Sequence, residues 1–402
     1  MDPTKRPLFN QAFSADPEFF SRYMNRLESQ LGPFPFRVAE TPLILTAALR
    51  DRLARYSQEI VAQLSQPARL AELKKAIPAK YDVPGMDGLP NCVQVDFALT
   101  HDAEGNVDGK VVELQAFPSL YALMTFMADS WAESLNEVEG LKKKWSCFIG
   151  LSRDQAFDLM RRTLLAGNRP EEVVLVDVDP QDQKTAPDFV ATQRLFGVDP
   201  VCVTKLIKKG RQLFREKDGK LLQVKRIYNR MVFDELEVKN TQVPFHWNDD
   251  LDVTWVPHPN WYWVWSKFSL PHLDHPAIPR ARYLSEVKEI PQDLSRFVLK
   301  PLFSFAGAGV VVDVTPADLE RIPADQRDKW VLQEKIDYAP VISMPDGNGV
   351  KAEVRVMLLR PPDSQELTPL LCLVRLSRGK MLGVDFNKGM TWVGGSVGIW
   401  EE

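Results

Sequence analysis

The sequence lacks the features that would tie it to a membrane, a disulfide framework or a nucleic acid. Its four cysteines are scattered without a CxxC pair, which is typical of reduced thiols in a cytoplasmic protein. We expect no signal peptide, because the N-terminus has no continuous apolar stretch. We also expect no transmembrane helix, because every run of uninterrupted apolar residues is much shorter than the ~18 that such a helix needs. A net charge of −4 without a long basic block argues against nucleic acids and anionic membranes as partners.

The composition that remains is that of a globular protein with room for more than one domain. The chain has 402 residues, of which 45% are hydrophobic and 26% charged, so it can bury a large core. Apolar residues recur at three and four positions in much of 1–75, in 119–139 and in 152–166, which predicts helices. Runs of β-forming residues dominate from 297 onwards.

Strand-like segments with turn signals predict two hairpins and one α/β unit. The hairpins are "NCVQVDFALTHDAEGNVDGKVVELQAF" (91–117) and "QLFREKDGKLLQ" (212–223), the second with an Asp-Gly turn. The strands of the α/β unit are "EEVVLVDVD" (171–179), "VCVTKL" (201–206) and "VKRIYNR" (224–230), with a helix-like stretch between the first two. Strand, helix and strand in this order favour parallel pairing.

The stretch "VLKPLFSFAGAGVVVDV" (298–314) places a lysine at the start of a loop of small residues. Small residues such as Gly307 and Gly309 let backbone N–H groups approach a phosphate, and Lys300 adds a positive charge. The loop does not follow the GxxxxGK[ST] pattern of a Walker A motif. Taken alone, this stretch predicts a phosphate cradle or a plain hairpin with equal force.

Further polar residues follow at the ends and on the faces of later strands. Gln333 and Glu334 end the apolar run "WVLQEKI", where a strand that leads into a hinge offers the backbone donor and acceptor that adenine needs. Glu353 and Arg355 lie two apart in "AEVRVMLL" and therefore share one strand face. Arg375, Asn387 and the pair Gly394-Gly395 come next.

This order of motifs resembles the ATP-grasp superfamily, in which two lysines and a small-residue loop contact the nucleotide phosphates. The resemblance implies that Arg355 and Arg375 lie near the transferred phosphoryl group or the substrate carboxylate. It implies ATP and Mg²⁺ as cofactors. It also implies an ATP site made of Lys267, Lys300, Ser304, Gly307, Gly309, Gln333 and Glu334.

The hairpin at 91–117 contains the candidate magnesium ligands. Asp96 and Glu113 are nearly equidistant from the turn, so they lie opposite each other on paired strands, and Gln115 shares the face of Glu113. Two carboxylates and an amide oxygen are a ligand set that suits Mg²⁺. The alternative is a hairpin whose acidic residues face solvent. The ATP-grasp resemblance favours the metal site, because the chain ends soon after Gly395, without the metal-binding strand that follows the glycine pair in the family.

An early metal hairpin resembles the circularly permuted ATP-grasp fold of glutathionylspermidine synthetase domains. "VVELQAFPS" (111–119) and "SKFSLPHL" (266–273) are similar to segments of that family. The sequence departs from it at Gln94, where the family has arginine, and at Gln115, where it has asparagine. The resemblance implies an α/β fold of four regions. These are a helical region (1–80), a metal hairpin with core helices (81–170), an interposed Rossmann-like preATP-grasp unit (171–255) and nucleotide-binding lobes (256–402).

Substrate contacts are expected at the end of the third strand of the α/β unit, because ligands gather at the carboxyl ends of parallel strands. Tyr228, Asn229 and Arg230 lie there, although Arg230 is equally well placed for a structural pair with Asp234 or Glu235. We also expect Asn387 near the substrate. We prefer this role to that of a metal ligand paired with Asp385, because no acidic partner strand follows.

Together these residues predict an ATP- and Mg²⁺-dependent carboxylate–amine ligase that works through an acyl phosphate. Asp96, Glu113 and Gln115 would hold the metal, Lys267 and Lys300 the phosphates, and the two arginines would stabilise the transferred group. The alternative is an inactive ATP-grasp protein that binds nucleotide without turnover, which Gln94 and Gln115 favour. A simple scaffold without ATP binding is a third hypothesis.

Overall fold

The computed structural model describes residues 2–303, 309–379, 382 and 387–402. The helices in these ranges are α1 (Lys5–Ala15), α2 (Phe19–Leu31), α3 (Ala47–Leu64), α4 (Pro67–Leu73), α5 (Tyr121–Asn136), α6 (Arg153–Leu165), α7 (Ala186–Phe196), α8 (Phe233–Val238), α9 (Trp261–Val264) and α10 (Pro316–Glu320). None of them is both long and apolar enough to cross a membrane.

The strands form one large sheet and three smaller ones. They are β1 (Leu43–Ile44), β2 (Cys92–His101), β3 (Val107–Gln115), β4 (Trp145–Ser146), β5 (Val173–Asp177), β6 (Asp199–Cys202), β7 (Ile207–Lys209), β8 (Gln212–Lys217), β9 (Lys220–Val224), β10 (Arg226–Asn229), β11 (Thr254–Val256), β12 (Ala281–Tyr283), β13 (Phe297–Pro301), β14 (Trp330–Glu334), β15 (Ile342–Ser343), β16 (Gly349–Leu359), β17 (Thr368–Ser377) and β18 (Gly394–Glu401).

The central sheet brings together segments from all parts of the chain. Its order is β1-β18-β17-β16-β2-β3, with β15 beside β16 and β4 beside β18. β1 runs parallel to β18, and the other neighbours along this order are antiparallel. The predicted hairpin at 91–117 is confirmed as β2 and β3, and Asp96 lies directly opposite Glu113.

The two faces of this sheet differ in character because successive side chains of a strand point to opposite sides. Val95, Phe97, Val354, Val356 and Val374 lie on one face and are fully buried in the main core. The long helices α3 and α5 pack against the sheet. The alternate residues of β2, β3, β16 and β17 carry charges and amides, so the opposite face is polar.

The α/β unit is a parallel sheet in the order β11-β10-β5-β6, with α7 connecting β5 to β6. The predicted parallel pairing is therefore confirmed. The second strand begins earlier than predicted, at Asp199, and ends at Cys202, because residues 203–205 form a 3₁₀ turn in which the Leu206 N–H donates to the carbonyl of Val203. Pro200 is tolerated because β6 is an edge strand.

A small antiparallel sheet, β12-β14-β13, carries the stretch that includes Lys300. Residues 309–314 belong to the β-forming runs from 297 onwards, but they do not form a strand. They meet β13 in a single bridge, in which Leu299 and Val311 exchange two N–H···O bonds of 2.9 Å. One face of this sheet packs into its own small core with Leu299 and Leu332. The fold is thus of the mixed α/β class with a large mixed sheet.

Candidate functional site

A cluster of charged and amide side chains lies on the polar face of the central sheet. Strand register places Asp96 of β2 between Glu113 of β3 and Arg355 of β16. One step along the strands, Glu353 of β16 lies opposite Arg375 of β17. Because directly opposed residues share a sheet face, these five side chains converge over four neighbouring strands.

Asp96 is the centre of this cluster and is bound by both arginines. Arg355 binds it in a bidentate manner, with Nε donating to Oδ1 and Nη2 to Oδ2, both at 2.6 Å. Arg375 Nη2 donates to the same Oδ2 at 2.7 Å. Burial by itself would raise the pKa of Asp96, but Arg355 and Arg375 outweigh it and lower that pKa. Asp96 is therefore a buried carboxylate anion held by two guanidinium groups.

Arg375 is held from a second side by Glu353. Its Nη2 also donates to Glu353 Oε1, and the hydroxyl of Tyr338 donates to Glu353 Oε2 at 2.8 Å. Burial and the nearby Asp96 raise the pKa of Glu353, although Arg375 opposes the shift. The side chain of Arg375 keeps 36% of its surface exposed, so the anchored guanidinium still faces the solvent side of the cluster.

A β-bulge positions Lys300. Between Asp96 and Phe97 the register with β3 shifts by one residue, which leaves Val112 without an opposite partner. The carbonyl of Val112 accepts a bond of 3.0 Å from Lys300 Nζ. Burial lowers the pKa of Lys300 to about 8, with Glu113 opposing this shift and Lys267 adding to it. The first lysine is thus buried directly beside the acidic hairpin.

The second lysine lies across from Glu113. Lys267 begins a 3₁₀ segment, Lys267–His272, and its Nζ lies 3.7 Å from Glu113 Oε2. The segment is attached to the edge of β3, where Ala116 donates to the Trp265 carbonyl at 3.0 Å. Both residues open into a cleft of about 160 Å³. The cleft is lined by Glu113, Leu114, Gln115, Ala116, Phe117, Ser119, Tyr262, Trp265, Ser266, Lys267, Leu302, Phe303, Arg355 and Arg375.

Gln333 adds a buried amide on the same side of the small sheet as Lys300. Val298 lies opposite Gln333 and Val331 opposite Lys300, so register puts these four side chains on one face. Gln333 is 1% exposed, and neither polar atom of its amide has a hydrogen-bond partner among the described residues. Buried polar groups are normally bonded. The hydrogen-bonding capacity of this amide is therefore not used by any described residue.

The backbone at the end of β14 is less available than the sequence indicates. β14 is the central strand of its sheet, so both of its edges are paired. The N–H of Glu334 donates to the carbonyl of Arg280, and that of Lys335 to the carbonyl of Arg296, each at 2.8 Å. The expectation that these N–H groups bind adenine does not hold in this arrangement. The side-chain amide of Gln333 is the polar group at this end of β14 that has no hydrogen-bond partner among the described residues.

The three candidate metal ligands do not fit Mg²⁺ as they are arranged. Both oxygens of Asp96 accept from arginines. Turned with its oxygen towards Arg355, the Gln115 amide accepts from both Nη atoms at 3.1 and 3.2 Å. Only Glu113 faces the cleft without an arginine partner, and Lys267 is its neighbour. Within the described ranges, no three His, Cys, Asp or Glu side chains are grouped so as to hold a metal ion.

The predicted substrate residues of the α/β unit do not line this cleft. Arg230 donates to Asp188 at 2.6 Å in a buried pair, which replaces the predicted pairs with Asp234 or Glu235. Tyr228 lines a separate apolar cavity. Asn229 accepts from the N–H of Met231 at 3.2 Å. Each of the three side chains is buried within the unit or its packing.

The remaining predicted residues lie at the end of β17, next to β13, or outside the described residues. Asn387 accepts from Ser377 Oγ and from the N–H groups of Arg378 and Gly379 at 2.9–3.0 Å, so it orders the end of β17. Gly309 adopts a φ of 74° against Pro301. Ser304, Gly307 and Asp385 lie outside the described residues.

Several cleft residues were missed by the sequence analysis. Phe117 and Ser119 follow β3 directly, and Tyr262 and Phe303 line the aromatic side of the cleft. Ser119 lies in the motif-bearing stretch 111–119, so its position in that stretch was the available signal. The role of Glu353 as an anchor of Arg375 was also missed.

Comparison with known proteins gives a match in structure and none in sequence. No family model matches the chain, and no curated protein matches it. The fold is similar to that of a glutathione synthetase-like effector (GSS30) from Globodera pallida in its apo form. The TM-score is 0.58, the identity is 13%, and the match covers 96% of this chain and 97% of that one. At this identity the likeness shows a shared fold and nothing more.

Proposed function

We propose that the chain is an ATP-grasp protein of the circularly permuted type and acts as an ATP-dependent carboxylate–amine ligase. The supporting observation is the convergence of Glu113, Lys267, Arg355 and Arg375, from distant parts of the chain, on one cleft. The shared fold with a glutathione synthetase-like protein adds support. So does the unpartnered amide of Gln333 beside Lys300, which offers a polar contact to a nucleobase.

In this proposal the chain's own cations do the electrostatic work. Lys267 and Lys300 hold the phosphate chain, and Arg375 faces the γ-phosphoryl group from its anchor on Asp96 and Glu353. A carboxylate oxygen of the substrate attacks the γ-phosphorus and ADP leaves. An amine nitrogen then attacks the acyl carbon, the amide bond forms and phosphate leaves. Placing charge where the phosphoryl group moves is the main contribution a protein makes to such a transfer.

A second candidate is a protein that binds nucleotide without turnover. The observation that favours it is the saturation of Asp96 by Arg355 and Arg375, which removes the central carboxylate of the predicted metal site. Both candidates share the nucleotide-binding cleft. They differ in whether a bound acid and amine are joined.

ADP release from the full chain separates the candidates. We expect ATP to raise the melting temperature, and pooled amino acids, peptides and polyamines to stimulate ADP release. Lys300→Met should reduce both effects, whereas Lys142→Met, at an exposed surface ion pair, should change neither. ATP binding without stimulated ADP release would favour the second candidate. No thermal shift with ATP would refute the nucleotide site itself.

A further inference from the structure

The place that a divalent cation would take in the cleft is filled by the chain's own cations. Arg355 and Arg375 occupy both oxygens of Asp96. Lys267 lies beside Glu113, and Lys300 donates a hydrogen bond to the carbonyl of Val112, the residue that precedes Glu113. We infer that the cleft binds the polyphosphate chain of a nucleotide without a divalent metal ion. This inference rests on the proposed nucleotide binding and adds its metal independence.

Displacing the arginines in favour of a metal would be costly. Mg²⁺ requires oxygen ligands at about 2.0–2.1 Å in near-octahedral geometry, so the guanidinium groups would have to leave Asp96. Asp96 is 1% exposed, and the side chain of Arg355 is 10% exposed. The departing Arg355 would be left as a buried cation without its partner, which is an expensive arrangement. The bidentate ion pair therefore competes strongly with a metal at this carboxylate.

The local charges also match a polyphosphate better than a metal. Two arginines and two lysines lie among three carboxylates, those of Asp96, Glu113 and Glu353. The cluster therefore has an excess of positive charge before any ligand enters. An anion is attracted to such a cluster, and a free divalent cation is repelled.

The test measures ATP binding to the full chain by calorimetry, once with excess EDTA and once with MgCl₂. We expect ATP to bind at least as tightly in EDTA as in MgCl₂, because excess Mg²⁺ chelates the nucleotide and removes the metal-free polyphosphate that the cleft would bind. Glu113→Gln is the decisive variant, because a metal-binding and a metal-free cleft predict opposite changes in ATP affinity. As a metal ligand, Glu113 would strengthen binding in MgCl₂, and its loss would weaken it. As an anion beside the phosphate site, its loss should tighten binding in EDTA by about twofold to tenfold.

Glu139→Gln is the matched control, since it removes the same charge from a side chain that is 91% exposed. Its dissociation constant should equal that of the unaltered chain in both buffers. Binding only in MgCl₂, or weaker binding by Glu113→Gln in MgCl₂, would overturn the inference and leave the proposed nucleotide site standing. Binding in neither buffer would overturn both.

Discussion

Replacing Arg355 by methionine should destabilise the fold through one identifiable carboxylate. Methionine keeps the unbranched aliphatic part of the side chain but removes the guanidinium group with its charge and donors. The substitution eliminates the two 2.6 Å bonds to Asp96 and the 3.0 Å bond from Nη1 to the Gln94 amide oxygen. Asp96 keeps the bond to Arg375 at 2.7 Å. The carboxylate is thus left buried with half of its charge compensation.

The magnitude follows from this partial loss. Removing one partner of a buried ion pair typically costs about 3–5 kcal/mol. Because Arg375 still compensates Asp96, we expect the lower end, a loss of about 3 kcal/mol in the free energy of unfolding. Urea titration of both proteins at neutral pH measures this difference.

The pH dependence identifies the group responsible. In the unaltered chain the pKa of Asp96 is below its unfolded value of about 3.9. Its stabilising contribution is therefore complete above that value and is lost as the pH falls through the folded pKa. In the variant, burial is opposed by Arg375 alone, so this pKa rises. The destabilisation by Arg355→Met should be largest at neutral pH and should shrink as the pH falls through the raised pKa of Asp96 in the folded variant.

Arg153→Met is the matched control for burial. Arg153 also binds Asp129 in a bidentate manner, through Nη1 and Nη2 at 2.7 Å, but the two side chains are 55% and 46% exposed. Exposed ion pairs contribute about 1 kcal/mol at most, so this variant should lose no more than that. Equal losses in the two variants would refute the argument from burial. A loss at Arg355 that persists unchanged in acid would refute the assignment to Asp96.

Three further substitutions test other parts of the cleft and the sheet. Burial lowers the pKa of Lys300 to about 8, so ATP affinity should fall by up to about tenfold from about pH 7 to about pH 9, and Lys300→Met should lack this pH dependence. Gln333→Met removes two unpaired polar atoms and should raise the free energy of unfolding, measured in urea, by about 1 kcal/mol. It should also weaken ATP binding. A lower stability would contradict the lack of a hydrogen-bond partner for the Gln333 amide. Gly394→Ala should lose about 3 kcal/mol of unfolding free energy, because its Cβ would lie 2.3 Å from the Arg37 carbonyl oxygen at a φ of 116°. Gly88→Ala, where a Cβ meets nothing within 4 Å, should be neutral in the same assay.

Local patterns in the sequence were sufficient for the hairpin at 91–117 and for the faces of its strands. The two-residue period of a strand puts Gln94 and Asp96 on one side, and the centred turn places Asp96 opposite Glu113. The same two-residue period puts Glu353 and Arg355 on one face of their strand. The parallel α/β unit was also predictable, since strand, helix and strand follow in order. These features depend on neighbours in the chain, which a sequence displays directly.

The boundaries that failed depend on competing local interactions. Residues 309–314 have the composition of a strand, yet they meet the free edge of β13 in a single bridge. The second strand of the α/β unit ends at Cys202 because a 3₁₀ turn follows. A hydrophobic run indicates burial, but it does not say which backbone partner is at hand.

Only the tertiary structure decided the chemical state of the cleft. Arg355 meets Asp96 across 259 positions of sequence, and Lys300 meets the bulged Val112 across 188. Periodicity within a strand cannot say which distant strand becomes its neighbour. The carboxylate of Asp96, predicted from the sequence as a metal ligand, binds two arginines in the structure. Residue types and strand faces follow from the chain itself, whereas ion pairing and access follow from sheet order, which long-range packing determines.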